Sequence, residues 1–197
     1  MINKEDLKIL RCPYCGGQLC LLKDSLRCEY CNRTYKREGG IISFVSIETW
    51  RDYGIERSVY RKSEPLSPNN FWINFVRKVR EFKTADIVLD AGCGDMVWTA
   101  NLDNQVKRIY GIDASIYMLN KASKRKLSNA ILMEGDVTNL PLKNETDDVI
   151  FDIYVFEHLP YKKALKALNE YHRVLKPKGL YLIVTEGSSL NGQQLAR

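Results

Sequence analysis

Apolar and polar positions along the chain fall into two alternating patterns. Residues 87–89 (Ile-Val-Leu) form a short apolar run rich in β-branched side chains, closed by Asp90-Ala91-Gly92-Cys93-Gly94. A run of that length ending in a glycine-bearing turn predicts a buried strand, a tight turn and then a helix. Further strands are predicted over 108–113, 149–154 and 181–185, with a shorter piece at Glu134-Gly135-Asp136-Val137. Between them, residues 115–127 read as a helix with a basic outer face at Lys121, Lys124, Arg125 and Lys126. Pro160 opens another helix, whose Ala164, Leu168, Tyr171 and Leu175 make one stripe, and Pro177 and Gly179 end it. Upstream, Ser67 caps and Pro68 starts a helix in which Phe71, Phe75, Val79 and Phe82 recur at i, i+4, i+8 and i+11, a stripe expected to pack on the first strand's sheet. Strand, helix and strand in repetition with short loops imply an α/β fold with a doubly wound parallel sheet and a ligand over the strands' C-terminal ends. Asp90, Asp113, Asp136 and His158 all fall at or just past such ends.

Composition places this pattern in an ordinary globular chain: 197 residues, 45% hydrophobic and 27% charged. That length holds one full domain plus a small one. No run approaches a membrane-spanning length, and residues 1–10 alternate charge with apolar residues, so a cytoplasmic protein without membrane contact is expected. The net charge of +6 is uneven, with 16 Lys and Arg against 10 Asp and Glu in residues 1–83, and 14 against 14 in residues 84–197. A basic N-terminal part beside a neutral domain points to an anionic partner such as RNA, or to a solvated basic surface.

Cysteine spacing adds a second chemistry. Cys12-Pro13-Tyr14-Cys15 and Cys28-Glu29-Tyr30-Cys31 are two Cys-x-x-Cys pairs, each able to present two thiolates from one turn to a tetrahedral zinc ion. A segment of about 45 residues has too little apolar core to fold alone, and structural zinc supplies roughly 10–16 kcal/mol. A redox motif needs no second pair, and disulfides suit a reducing compartment poorly. The expected module is a zinc ribbon over residues 1–46, with hairpin strands at 18–22 and 25–27. Residues 47–83 then connect it to a domain over 84–197. In the connection, Trp50 and Tyr53 are either core anchors or stacking surfaces for a base, with Arg57, Arg61 and Lys62 interleaved.

The glycine turn discriminates between ligands. Gly-x-Gly-x-x-Gly for a dinucleotide would need a third glycine where Val97 stands, and no Lys-Ser or Lys-Thr follows to make a P-loop. A carboxylate ahead of the glycines suits a ligand bearing positive charge, such as S-adenosylmethionine with its ammonium and sulfonium.

At these residues the chain resembles class I S-adenosylmethionine-dependent methyltransferases, over roughly residues 85–186 and in five pieces in order. They are the turn at Asp90, Gly92 and Gly94; the strand ending in Asp113; Glu134-Gly135-Asp136-Val137; the run 149–154 followed by Phe156-Glu157-His158-Leu159; and 172–180 followed by the strand over 181–185. The resemblance implies a Rossmann-like sheet lacking the family's last strands, so that a homodimer contact or another partner would cover the exposed sheet edge. It implies S-adenosyl-L-methionine held by Asp90, Gly92, Gly94, Asp113, Met118, Asp136 and Val137, with Asp113 on the ribose and Asp136 at the adenine edge. The family's usual third glycine, two after Gly94, is Met96 here. Cys12 to Val45 is likewise similar to zinc-ribbon modules found ahead of methyltransferase domains.

Methyl transfer from a sulfonium is an in-line displacement dominated by positioning, and a base is needed only when the acceptor must lose a proton. His158 is the candidate for that base, against a role in packing or loop orientation; His172 is read as structural. The expected function is methyl transfer to an RNA base or small metabolite. The competing class is a non-catalytic module that binds the cofactor or recruits a partner.

Overall fold

The computed structural model describes residues 2–45 and 67–185; Trp50, Tyr53, Arg57, Arg61 and Lys62 lie outside the described residues. The N-terminal part begins with helix α1 (Lys4–Ile9), closed by a capping box between Asn3 and Asp6. Strands β1 (Leu19–Leu21), β2 (Ser25–Cys28) and β3 (Thr34–Glu38) follow as an antiparallel meander, and β4 (Ile41–Ser43) pairs with β3. The second part contains α2 (Phe71–Arg77), β5 (Ile87–Ala91), β6 (Arg108–Asp113), α3 (Ile116–Ser123), β7 (Ala130–Glu134), β8 (Asp147–Ile153), α4 (Tyr161–Val174) and β9 (Leu175–Val184).

The two parts share one sheet of nine described strands, ordered β1-β2-β3-β4-β7-β6-β5-β8-β9. From β4 to β9 every neighbouring pair is parallel. The ribbon therefore continues the parallel sheet: β4 hydrogen-bonds along β7, with Ile41 opposite Leu132 and Ser43 opposite Glu134. Strand order reverses between β5 and β8, and that switch point is where an α/β sheet opens its ligand crevice.

Side chains of successive strand residues point to opposite faces, so each buried strand supplies two cores. On one face Leu89, Tyr110, Met133 and Ile150 pack with Ala167, Tyr171 and Val174 of α4 and with Leu10, Leu19, Leu26 and Tyr35 of the N-terminal part. On the other, Val88, Ile109, Val149 and Phe151 meet Ile73 and Val76 of α2 and Leu119 and Ala122 of α3.

Several elements depart from the sequence reading. No α-helix joins β5 to β6; a 3-10 turn (Ala100–Leu102) stands there, in a segment where Met96 and Asn104 both hold positive φ and so interrupt a helix. Nor does one join β7 to β8: residues 135–146 are turns, and α1 with the ribbon covers the face a crossover helix would take. Helix α2 starts after Asn70 rather than Ser67, with the Phe71 N–H bonded to Asn69 Oδ1 at 2.7 Å. Its buried side chains are Ile73 and Val76, whereas Phe71, Phe75 and Val79 are exposed, because a helix of two turns has one face and the i, i+3 pair takes it. Finally, β9 begins at Leu175, before Pro177 and Gly179; those residues make an irregularity in its pairing with β8, where Lys178 has φ +66°.

Docking of the N-terminal part is polar as well as apolar. Asp6, buried in α1, accepts the Tyr110 hydroxyl at 2.9 Å and pairs with Arg108 Nε at 2.8 Å. Leu10 bridges to Leu142, the Arg11 N–H donates to Pro141 O at 3.0 Å, and the Lys143 N–H donates to Ile9 O at 2.8 Å.

Candidate cofactor site and cysteine cluster

Strand β5 carries Asp90 and Ala91 to its C-terminal end, and Gly92 and Gly94 then turn with φ of +70° and +52°. Gly92 has a second constraint: a Cβ there would lie 2.1 Å from Val155 Cγ2, so only glycine lets the loop after β8 seat against the turn. A Cβ on Gly94 would meet Met118 Cε at 3.3 Å, which places Met118 of α3 over the same turn. Met96 has φ +61° with its side chain fully buried. It thus takes the left-handed conformation that the glycine expected there would have adopted freely, at a cost of about 1–2 kcal/mol.

Asp113 ends β6 and organises the turn from the side. Its Oδ2 accepts the Gly94 N–H at 2.8 Å and its Oδ1 accepts the Ser115 N–H at 2.7 Å. Ser115 is in turn the N-cap of α3, its hydroxyl accepting the Met118 N–H. A carboxylate has about four acceptor positions, so these two bonds fix its plane and leave capacity for ligand hydroxyls. Burial raises the Asp113 pKa, and the Ser115 and Gly94 N–H groups oppose that rise. Asp90 is buried, accepts the Thr99 hydroxyl, and is pushed up to about 7 by desolvation, against the Thr99 bond and with the help of Asp113, Asp152 and Asp95. Asp95 is held by Arg125 at 2.7 Å, and Arg125 Nε also donates to the Asp95 carbonyl, which clamps the turn to the residues after α3.

The other expected residues are distributed around this centre. Asp136 follows β7, with its Oδ1 accepting the Thr138 N–H at 2.7 Å, while Val137 is buried in the core shared with the ribbon. His158 is exposed in a 3-10 turn (Phe156–His158), and its imidazole makes no hydrogen bond among the described residues. Asp152 anchors that turn: it accepts the Tyr171 hydroxyl at 2.6 Å and the Phe156 N–H at 3.1 Å. Thr99, Ser115 and Val155 were not singled out from sequence, and Arg125 and Tyr171 were read only as part of a basic helix face and an apolar helix stripe, not as parts of the site. Of these only Ser115 carried a local signal, a Ser beside an Asp at the start of an amphipathic helix.

The four cysteines Cys12, Cys15, Cys28 and Cys31 come together with all sulfurs within 4.8 Å of one another. Cys12 and Cys31 are 3.7 Å apart, and Cys15 and Cys28 are 3.5 Å apart. Tetrahedral Zn–S bonds of about 2.3 Å separate sulfurs by about 3.8 Å, so the donor set and its spacing fit zinc. Burial pushes the Cys28 thiol up, but the Cys31 and Tyr30 N–H groups and the neighbouring sulfurs outweigh it and bring it to about 7. The Tyr35 hydroxyl lies 2.9 Å from Cys12 Sγ; burial keeps it protonated, so it is the donor once that sulfur is a thiolate.

Comparison with known proteins fits this geometry. Residues 89–183 match the family described as a methyltransferase domain, and this part of the chain is a class I S-adenosylmethionine-dependent methyltransferase domain. A ubiquinone/menaquinone biosynthesis C-methyltransferase of Campylobacter jejuni is 30% identical over 158 residues, which is 77% of this chain and 58% of that one. An uncharacterised methyltransferase of Geobacillus kaustophilus is 33% identical over 97 residues, covering 49% of this chain and 45% of the relative. Among solved structures, a SAM-dependent methyltransferase from Aquifex aeolicus superposes with a TM-score of 0.51 at 29% identity, over 62% of this chain and 69% of that one. The chain spans about half the length of the curated relatives it matches. None of the described helices is long and apolar enough to cross a membrane.

Proposed function

We propose that this chain binds S-adenosylmethionine over the C-terminal ends of β5, β6 and β7 and transfers its methyl group to an RNA base. The observation that carries the cofactor part of this reading is Asp113, whose carboxylate is fixed by the Gly94 and Ser115 N–H groups while keeping acceptor capacity toward the glycine turn. When bound, S-adenosylmethionine supplies a methyl group on a positively charged sulfonium. Asp113 takes the ribose hydroxyls, Met118, Asp136 and Val137 flank the adenine, and Asp90, Gly92 and Gly94 border the methionine part. Asp113 and Asp152 lie close enough to Asp90 to raise its pKa, and this group of carboxylates favours a cationic ligand there. His158 serves as base where the acceptor must lose a proton.

In this reading a zinc ribbon of residues 1–46, its ion held by Cys12, Cys15, Cys28 and Cys31, joins through 47–83 to the catalytic domain of 84–197. The ribbon's role is both to complete the sheet and to bring basic surface beside the crevice. A small-metabolite acceptor is the second reading, favoured by the Campylobacter jejuni relative, whose name describes C-methylation in quinone biosynthesis.

Titration calorimetry with S-adenosylhomocysteine tests the cofactor assignment. Asp113→Ala removes two charge-assisted hydrogen bonds worth roughly 1.5–3 kcal/mol each, so affinity should fall more than tenfold. Undiminished binding by the variant would remove Asp113 from the site.

A further inference from the structure

A cleft of about 490 Å3 lies where the ribbon meets the sheet's C-terminal edge. Tyr14, Arg33 and Lys36 form its ribbon wall, Phe44 follows β4 at its base, and Asp136 and Asn139, after β7, form the opposite wall. The walls are tied together, since Asn139 Nδ2 donates to Pro13 O at 2.9 Å. Tyr14 is 66% exposed, and the Arg33 guanidinium sits 3.7 Å from its ring centre. Arg33 also hydrogen-bonds the Tyr14 side chain, and the rest of its N–H donors are available to an anion. Among the described residues neither Arg33 nor Lys36 is paired with a carboxylate. Phe44 packs at a tilt against Tyr35, with ring centres 4.9 Å apart, which lines the cleft with aromatic surface.

Charge is therefore separated across the cleft, with cations on the ribbon side, a carboxylate on the sheet side and aromatic surface between. A nucleotide has the matching distribution: an anionic phosphate, a flat base, and base N–H groups. We propose that this cleft binds a nucleotide, its phosphate on Arg33 and Lys36 and its base against Tyr14, and that it anchors the methyl acceptor. The inference rests on the methyltransferase reading for its purpose, but not for its chemistry. Of the residues assigned to the cofactor only Asp136 borders the cleft, so the two sites adjoin without coinciding. Strand β7 lies two strands from β5. The ribbon wall lies on β3, four strands from β5, so at about 4.8 Å per strand the cleft spans from about 10 to about 19 Å from the glycine turn. A nucleotide within an unpaired strand spans that gap to a second base; a free mononucleotide would occupy the cleft alone.

Fluorescence anisotropy of the full chain with a labelled, unpaired RNA octamer of mixed sequence tests the site, with S-adenosylhomocysteine affinity measured in parallel. Arg33→Ala with Lys36→Ala should weaken RNA binding at least tenfold and leave S-adenosylhomocysteine affinity within twofold. Each lost phosphate contact should also reduce the slope of log affinity against log salt by about 0.7, or about 1.4 for the pair. Tyr14→Leu should weaken binding with the slope unchanged. Where zinc content falls in the double variant, Lys36→Glu alone is judged on the same slope. Uridine monophosphate that displaces the octamer identifies the free nucleotide as the ligand, and failure to displace it identifies the strand; either supports the site. RNA and uridine monophosphate both failing to bind the unaltered protein, or binding the variants with unaltered affinity and slope, overturns it. Absence of S-adenosylhomocysteine binding overturns the methyltransferase reading instead, and leaves the RNA measurements to decide the cleft.

Discussion

The hydroxyl of Tyr110, in the second strand of the methyltransferase sheet, donates to Asp6 in the first helix of the chain, 2.9 Å away and out of solvent. Arg108 Nε reaches the same oxygen of Asp6 at 2.8 Å, and its second guanidinium nitrogen donates to the other oxygen at 2.9 Å. Because both ends are buried, the contact cannot be exchanged for water without cost. Tyr110→Phe should lower unfolding free energy by about 1–3 kcal/mol, the range for removing one partner of a buried hydrogen bond. Asp6→Ala should cost more, about 3–5 kcal/mol, since it strands the Arg108 charge. Urea denaturation of the two variants checks both values and their order.

Met96 offers a test of strain separated from packing. Met96→Ala and Met96→Gly lose the same buried side chain to within one methyl group, and at an ordinary position glycine would be the less stable of the two. At φ +61° the order should reverse, with Met96→Gly about 1 kcal/mol more stable than Met96→Ala. Thermal melts with the alanine variant equal or higher would show that residue 96 is unstrained.

Removing metal should reach beyond the ribbon. Cys28→Ser, or chelation of the unaltered protein, should release one zinc per chain and disorder β1 to β4. Since β4 pairs with β7, amide protection should also fall at residues 130–134, while β5 and β8 at the sheet centre stay protected. Hydrogen exchange with and without chelator, together with elemental analysis, reads this out. Exchange confined to residues 2–38, ahead of β4, would mean that β4 is held without the metal.

Asp147 supplies a pH dependence. It is fully buried at the start of β8, one of its oxygens has no hydrogen-bond partner, and desolvation pushes it up from 3.8 to about 7, against the Thr146 bond and Lys176. A carboxyl whose folded value lies above its unfolded value stabilises fully below about pH 4, and that stability is lost as pH rises through about 7. Between those limits the change is on the order of 3–4 kcal/mol. Asp147→Asn cannot ionise, so it should match the unaltered protein near pH 4 and exceed it at pH 8. Equal stability of the two proteins at pH 8 would show that Asp147 is ionised at little cost in the folded state.

How far this arrangement could be read beforehand depended on how local its causes are. The strands of 87–91 and 108–113 and the turn between Asp90 and Gly94 were legible because apolar runs and glycines act within a few residues. The cysteine cluster was legible because one ion needs four donors at short spacing. The inverted face of α2 was not: Phe71, Phe75 and Val79 are the more hydrophobic stripe, yet a two-turn helix lying against Val88 and Phe151 buries Ile73 and Val76 instead. Continuity of ribbon and sheet was equally hidden. It rests on Ile41 meeting Leu132 and on Leu10 meeting Leu142, pairings between residues far apart in the chain, which no local pattern encodes. The clamp of Arg125 on Asp95 also acts across a distance in sequence, and 115–127 showed only that Arg125 would be basic.

The parallel pairing of β4 with β7 has a consequence for biosynthesis. Ile41 leaves the ribosome well before its partner Leu132. At about 5–20 residues per second, β4 waits on the order of 5–18 s with its outer edge unpaired. During that interval the antiparallel strands β1 to β4 can already pair with one another, and β4 is a bare strand open to pairing with any other extended segment. The arrival of residues 130–134 therefore ends the interval in which the nascent chain can self-associate through β4, and slow codons between positions 43 and 130 would lengthen that interval.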